Sequence, residues 1–543
     1  MKRLGPVNPY YRPATASPAG TKSSKESTKR MKRLVTLLVV ALIGSLGFAQ
    51  QDGGVLRVAT VSEPTSLDPI TTNNIPSRLV FMQIHDSLVS YDENLNVVPE
   101  LAESWDVSDA GTEYTFHLRS GITFQNGDPF TAADVKYTFE QALNSELQGQ
   151  WLGILSGITG VDVVDDLTVV VHVAAADASF IDQIVYLGIP NSKVHQAIGA
   201  DAYAINPVGT GPFAFVSWER NGDLTLKRNE TYWLTRPHLD GVVFRAIPER
   251  SVAAVELESG GVDVAMSLSA SDLLRLRENS KFVVDARPTL SYYYLAINNK
   301  QGPLADRRVR KALAMAIPMD QFVDTIFQGV GAIRAYSSFA PGSLAYSEQL
   351  VADYPAFDPE GARALLAEAG YPNGFETTIY TPTDSNRRQL GELIQAAFSQ
   401  VGITAEVRSV EFGTLLPLTY NGEAPMWILG WTNGVDPNNY LYDMFHSDPA
   451  AWADNEVTFN SVRYENAQVD EWLEDARTLN NMEDRLVIYR EAARVIFLDD
   501  TAHVPAYHQT STLAYRTNVQ GAFADPNSGI ELVSTYNNVW IDN

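Results

Sequence analysis

The stretch Ser291–Ile317, SYYYLAINNKQGPLADRRVRKALAMAI, constrains the fold more than any other. It opens rich in Tyr, with Leu and Ile behind, as suits a strand. Alternation sets Tyr293, Leu295 and Ile297 on one face and Tyr292, Tyr294 and Asn298 on the other. Asn299-Lys300-Gln301-Gly302-Pro303 then breaks the strand. Val309, Ala312, Leu313, Ala316 and Ile317 follow at the i, i+3, i+4, i+7, i+8 spacing of an amphipathic helix. We take this as the point where the backbone leaves one lobe and enters another, so the function is expected in a cleft between two lobes. One face of the strand must be core, and Tyr292 and Tyr294 are the candidates for the cleft.

At 543 residues the chain is too long for one core. Residues 31–49 have the pattern of a secretion signal. Lys32-Arg33 precede the apolar run Leu34–Phe48, and Gly47-Phe48-Ala49 offers small residues for cleavage after Ala49. The run is short for a bilayer span. Residues 1–30 are polar and basic, unusual ahead of a signal, and Met31 is an alternative start. Residues 1–49 hold nine of the 40 Lys/Arg and one of the 65 Asp/Glu, which leaves the remainder with a net charge of about −33. Such a surface repels phosphate backbones and argues against nucleic-acid binding. The chain has no cysteine, which excludes disulfides, thiolate metal sites, a Cys nucleophile and a lipid-modified Cys at the signal junction. A soluble monomer free in the periplasm or medium is expected.

Along the chain, strands are expected at Gly53–Ala59, Thr112–Leu118 and Val242–Ile247, with a strand pair over Val161–Val173 turning near Asp165-Asp166. Helices are expected at Leu79–Leu88, Val252–Leu257 and Ala270–Glu278, and after Thr131, whose pairing with Asp134 resembles a capping box. Asp358-Pro359 starts another helix, and Leu390–Val401 carries a strong apolar stripe. With strands at Thr377–Thr381, Thr404–Val410 and Met426–Gly430, the span from about 305 to 505 alternates as an α/β lobe. Helices near 467–479 and 484–498 close it. His503–Leu513 is expected to cross back in extended form, and the last residues to rejoin the first lobe.

No phosphate loop, nucleophile elbow or zinc helix is present. His503 and His508 flank Pro505 and are read as strand-surface histidines rather than metal ligands. Carboxylate pairs such as Asp165-Asp166 and Asp499-Asp500 are read as turn and helix-end residues, so no catalytic, metal or cofactor residue is assigned. Gly430–Tyr442 (GWTNGVDPNNYLY) is more informative: a loop after a strand that concentrates aromatics, amides and a carboxylate. Trp431 and Tyr440 offer flat apolar contact with a hydrogen-bonding edge, and Asn433 and Asp436 polar groups to orient a ligand.

Five segments, in order, resemble the extracellular solute-binding proteins of the oligopeptide/dipeptide class (family 5) that serve ABC importers. They are Tyr114–Leu143; Gly209-Thr210-Gly211-Pro212-Phe213 with Trp218, Arg228-Asn229 and Tyr232-Trp233; the opening stretch; Glu368-Ala369-Gly370-Tyr371; and Trp431–Tyr440. The resemblance implies a two-lobed α/β periplasmic-binding-protein fold with two hinge crossings and an extra subdomain. In this chain it places lobe I at 50–85, 208–297 and 506–543, the inserted subdomain at 86–207 and lobe II at 298–505. It implies a solute buried by hinge closure and an ABC permease as membrane partner. Two family positions differ. Gly434 stands where an acidic residue commonly holds a peptide amino terminus, and Tyr380 near where an Arg often precedes the long helix, with Arg387 and Arg388 following. An oligosaccharide therefore stands beside a peptide as the solute. Glu63, Tyr292 and Tyr294 are expected to bind it from lobe I and the hinge, and Phe412, Trp431, Asn433, Asp436 and Tyr440 from lobe II. A secreted hydrolase with paired carboxylates is the alternative of another class.

Overall fold

The computed structural model describes residues 52–147, 149–454, 458–525, 529–530, 532–534 and 536–542. The expected signal at 31–49 and the leader before it lie outside these residues. Two strands, Phe282–Ile297 and His503–Arg516, of 16 and 14 residues, organise the rest. They pair antiparallel along most of their length, with Phe282 opposite Arg516 at one end and Ala296 opposite His503 at the other. The register shifts between Pro288 and Tyr292 and again between Tyr293 and Tyr294. Pro288 lacks an N–H for the ladder, so a break there loses little.

Each end of this pair is extended by different strands. At the Phe282 end, Val264–Met266 lies against Leu513–Tyr515, followed outward by Val55–Thr60, Gly241–Ala246, Asp223–Arg228 and Phe213–Trp218. At the Ile297 end, Met426–Thr432 lies against Ser291–Ile297, followed by Glu376–Thr381 and Thr404–Ser409. A short strand, Ala332–Arg334, pairs with Tyr507–Gln509. One sheet thus serves two lobes whose cores are separate. The first packs Leu56, Val58, Phe244 and Val264, and around Leu257 and Leu276. The second packs Leu313, Ile379, Ile394 and Phe398 on one face, and Trp427, Tyr440, Phe445 and Tyr489 on the other. A four-stranded antiparallel sheet over residues 102–173, with the helix Ala132–Ala142, holds a further core around Tyr114, Phe116, Phe139 and Val171.

Local rules placed many element ends. Thr131 and Asp134 bond each other reciprocally as a capping box. Asp358 accepts from Gly361 N at 2.8 Å, with Pro359 in the first turn of its helix. Two ends differ from expectation. The helix expected over Leu79–Leu88 is Ile75–Phe81, because Asn74 caps it by accepting from Ser77 N and Pro76 presets its first turn. The loop expected to run through Tyr442 ends at Pro437, where Asp436 accepts from Asn438 N at 2.9 Å and the helix Asn438–Phe445 begins.

His503 and His508 also differ: they are 0% and 1% exposed, not surface residues. Burial pushes both imidazoles down to about 3, and that of His85 down to about 4. In the unfolded chain each takes up a proton near its ordinary value of 6.5. The unfolded state therefore binds more protons between the two values, so stability is full above about pH 6.5 and falls as pH drops towards the folded values. Asp182, whose carboxyl is raised on folding, acts in the opposite sense over the same range, so the histidine contribution is read as a difference: in thermal melts from about pH 6.5 to 4, wild type should lose stability relative to His508→Gln, and a constant difference in Tm would remove His508 from the account.

Candidate functional site

The paired strands form the floor of a cavity of about 490 Å³. The first lobe supplies one wall, with Arg250, Ser267, Ser269 and Leu273. The second supplies the other, with Phe327, Asp384, Asn386 and Arg387, and the floor carries Tyr293, Tyr507, Gln509, Thr510 and Thr512. Tyr293 and Tyr507 stack at 4.5 Å and 11°, and the Tyr293 hydroxyl donates to Gln509 Oε1 at 3.4 Å. Gly430 leaves room for this ring, since a Cβ there would meet it at 2.5 Å. Arg387 lies with its guanidinium carbon 5.9 Å from the Tyr293 ring and pairs with Asp384, the N-cap of the helix Ser385–Ser399. Ser267, straight after Val264–Met266, has φ +55° and is held there by donating its N–H to Thr512 O at 3.0 Å.

Beside the cavity floor lies an open strand edge. Glu376–Thr381 pairs with Met426–Thr432 only at Met426 and Trp427. Over Leu429–Thr432 the described residues provide a strand neighbour only on the Ser291–Ile297 side. The other edge presents main-chain donors and acceptors without a ladder.

The expected residues divide. The alternation of the tyrosines holds, but the faces are reversed: Tyr293 lines the cavity. Tyr292 is 0% exposed, stacks on Tyr294 at 5.0 Å and meets the edge of Tyr440 at 5.5 Å. Tyr294 stacks on His503 at 4.1 Å. Tyr292, Tyr294 and Tyr440 are thus core residues of the second lobe, on the face that Asn438–Phe445 and Met482–Arg494 cover. Asp436 is not free for a ligand either. It forms a bidentate pair with Arg485 at 2.6 and 2.8 Å, the two side chains being 1% and 2% exposed. Glu63 accepts from Asn221 N and lies 4.0 Å from Arg220, holding the Phe213–Arg228 hairpin.

Asn433 is buried; its amide donates to Ser338 O at 2.7 Å, and its Oδ1 has no partner among the described residues. Trp431 is half-buried, faces away from Tyr293 and meets the exposed Phe459 edge-on at 5.0 Å. Phe412, half exposed, opens the helix Phe412–Tyr420. The helix after the loop also reaches the 102–173 sheet's neighbourhood: Asn439 donates to Asp182 at 3.1 Å, and Tyr91 donates to the same carboxylate. Burial, then the charge of Asp436, pushes Asp182 up to about 7. Among the cavity residues, Arg387 had a signal in its place at the head of an amphipathic helix. Arg250, Gln509 and Thr512 carry none, because only the crossing of distant strands brings them together.

A family model for bacterial extracellular solute-binding proteins, family 5 middle, matches residues 96–452. The chain belongs to that family. Heme-binding protein A of Haemophilus influenzae is 29% identical over 480 residues, 82% of this chain and 85% of the relative. The dipeptide-binding protein of Escherichia coli K12 is 29% identical over 460 residues, 79% and 84% of the two chains. The periplasmic binding protein DppA from Helicobacter pylori, solved in complex with peptide STSA, superposes with a TM-score of 0.69 at 28% identity, covering 91% of this chain and 99% of that one. The fold of this family-5 protein is accordingly the two-lobed α/β arrangement, and its cavity lies where the lobes face each other.

In this family-5 protein Asp436→Ala leaves the Arg485 guanidinium buried without its counter-ion, which costs on the order of 3–5 kcal/mol. Urea unfolding should show a loss of that size, with solute affinity per folded molecule little changed. An unmoved midpoint together with lost binding would return Asp436 to the site.

Proposed function

We propose that this chain is an exported monomer that captures a peptide or similar oligomeric solute between its lobes and hands it intact to an ABC permease. The observation that carries the reading is the cavity walled by both lobes and floored by the long strand pair they share. A solute held there loses water on all sides when the walls approach, so it needs polar partners from both. Ser267, Ser269, Asn386, Arg387 and Gln509 supply them. The free edge of Leu429–Thr432 suits an extended main chain adding as a strand, with side chains falling alternately to either face. The names of the E. coli relative and the H. pylori complex agree with a peptide.

One observation favours a second reading. With Asp436 neutralised by Arg485, the loop after Trp431 offers a free amine no unpaired carboxylate. An oligosaccharide or another oligomer without a cationic end meets that loop at no such cost, and the H. influenzae relative is named for a ligand that is no peptide.

Calorimetry and thermal shift with tri- to pentapeptides and with oligosaccharides test both. Saturable binding with a raised Tm is expected, worth about 2.7 kcal/mol at a hundredfold excess over Kd, with the solute recovered unchanged. Appearance of cleaved product would overturn capture in favour of hydrolysis. Tyr293→Ala should weaken binding at least tenfold with little unfolding. Full loss in Trp431→Ala with none in Tyr293→Ala would place the site on the opposite face of the sheet.

A further inference from the structure

The second lobe is also held from the face of the sheet opposite the cavity. Residues 177–186 pack through Phe180, Ile181 and Ile184 into the core of the 102–173 sheet. From there bonds run to three helices of the second lobe, Asn438–Phe445, Ala467–Thr478 and Met482–Arg494. Ala178 N donates to Arg477 O at 3.4 Å, Ala178 O accepts from Arg485 Nη1 at 3.5 Å, and the Asp182 carboxylate accepts from Asn439 at 3.1 Å. Gly434 leaves room for the last of these, because a Cβ there would collide with the Asn439 amide. The second lobe cannot leave the 102–173 unit without breaking all three.

The carboxylates along this seam lack cations. The two oxygens of Asp182 accept from neutral donors, Tyr91 on its own side and Asn439 from across, and it makes no ion pair among the described residues. Asp436 faces it from the second lobe, and Arg485, which could offset the charge, has its fork on Asp436 at 2.6 and 2.8 Å. On its own side Tyr186 meets the edge of Tyr91 at 5.9 Å, with the Arg78 guanidinium carbon 4.0 Å from the Tyr186 ring centre. Asp443, on the helix of Asn439, faces Asp177 across the seam, and Asp177 already accepts from Ser179 and Gln183. Arg477 bears on Asp443 without an ion pair and lies 4.2 Å from the Tyr442 ring centre. His446 bonds Glu474 at 3.0 Å within the second lobe and does not bridge the seam. Closing the seam thus takes carboxylates out of water without a counter-ion, a cost that falls on their ionised form alone.

We infer that this seam is a proton-operated latch: with Asp182 and Asp443 protonated the second lobe is held against the 102–173 unit, and their ionisation frees it to swing away. Protonated Asp182 still accepts from Asn439 and turns its own proton to the Tyr91 hydroxyl, so every bond of the seam survives. In the closed seam burial, then the charge of Asp436, pushes Asp182 up to about 7, and burial pushes Asp443 up to about 6. Opening returns both to water and towards their ordinary value of 3.8. The closed seam therefore binds more protons between those values. It is favoured in full below about pH 4 and loses that advantage as pH rises to about 7. The latch acts on the protein without solute, so it stands or falls apart from the capture reading.

The chain has no cysteine, so spin labels on Val164→Cys and Val487→Cys, both exposed positions, report the distance between the 102–173 unit and the second lobe and nothing else. Measured by double electron–electron resonance without solute, the ratio of short to long distances should rise at least tenfold from pH 8 to pH 5. Asp182→Asn, an amide of the same size that does not ionise, should be held short at pH 8 and lose most of that rise. Asp443→Asn should lose a smaller part. A distribution that does not move with pH in wild type, or a rise of wild-type size in Asp182→Asn, would overturn the latch. Peptide bound by a protein whose distances ignore pH leaves capture standing and removes the latch. Distances that follow pH in a protein that binds neither peptide nor oligosaccharide do the reverse.

Discussion

Everything in this molecule hangs on the antiparallel pairing of Phe282–Ile297 with His503–Arg516. These strands are long enough to be the inner strands of both lobes at once. The first lobe's sheet is laid against Leu513–Tyr515 and the second's against Ser291–Ile297. The register break at Pro288–Tyr292 falls between those two contacts. Each core packs on its own half of the pair, the first around Val264 and Leu513 and the second around Leu295, Ile297 and Val504.

That same pairing decides what the cavity can recognise. It brings Tyr293 and Gln509, 216 residues apart in sequence, onto one floor. It also sets the faces of the sheet apart. On one, Tyr292, Tyr294, His503 and Tyr440 fill a helix-covered core; on the other, Tyr293 and Tyr507 stack beneath open space. Gly430 belongs to this arrangement for want of room rather than for backbone freedom, because the Tyr293 ring occupies the place of a side chain.

Charge is distributed with similar economy. Asp436 and Arg485 neutralise each other inside the second lobe, where an unpaired ion would be costly. The loop they anchor carries its polarity in amides such as Asn433 instead. The chain as a whole is acidic, while the cavity is edged by Arg250 and Arg387 with Asp384 between them in the lining.

The family, the α/β class and most element positions were legible in the chain, because periods of 2 and 3.6, caps such as Thr131 with Asp134, and turn residues act over a few neighbours. Alternation even separated Tyr292 and Tyr294 from Tyr293. It was silent on which side the helices would cover, and so the sides were exchanged. Asp436 in its turn looked like a ligand's partner because Arg485, 49 residues on, is invisible to local spacing. What the sequence determined by itself is therefore the set of strands and helices and the lobe architecture they build. Only the tertiary structure decided which ring faces the cavity and which charge is cancelled, because those outcomes depend on contacts between segments that no local pattern connects.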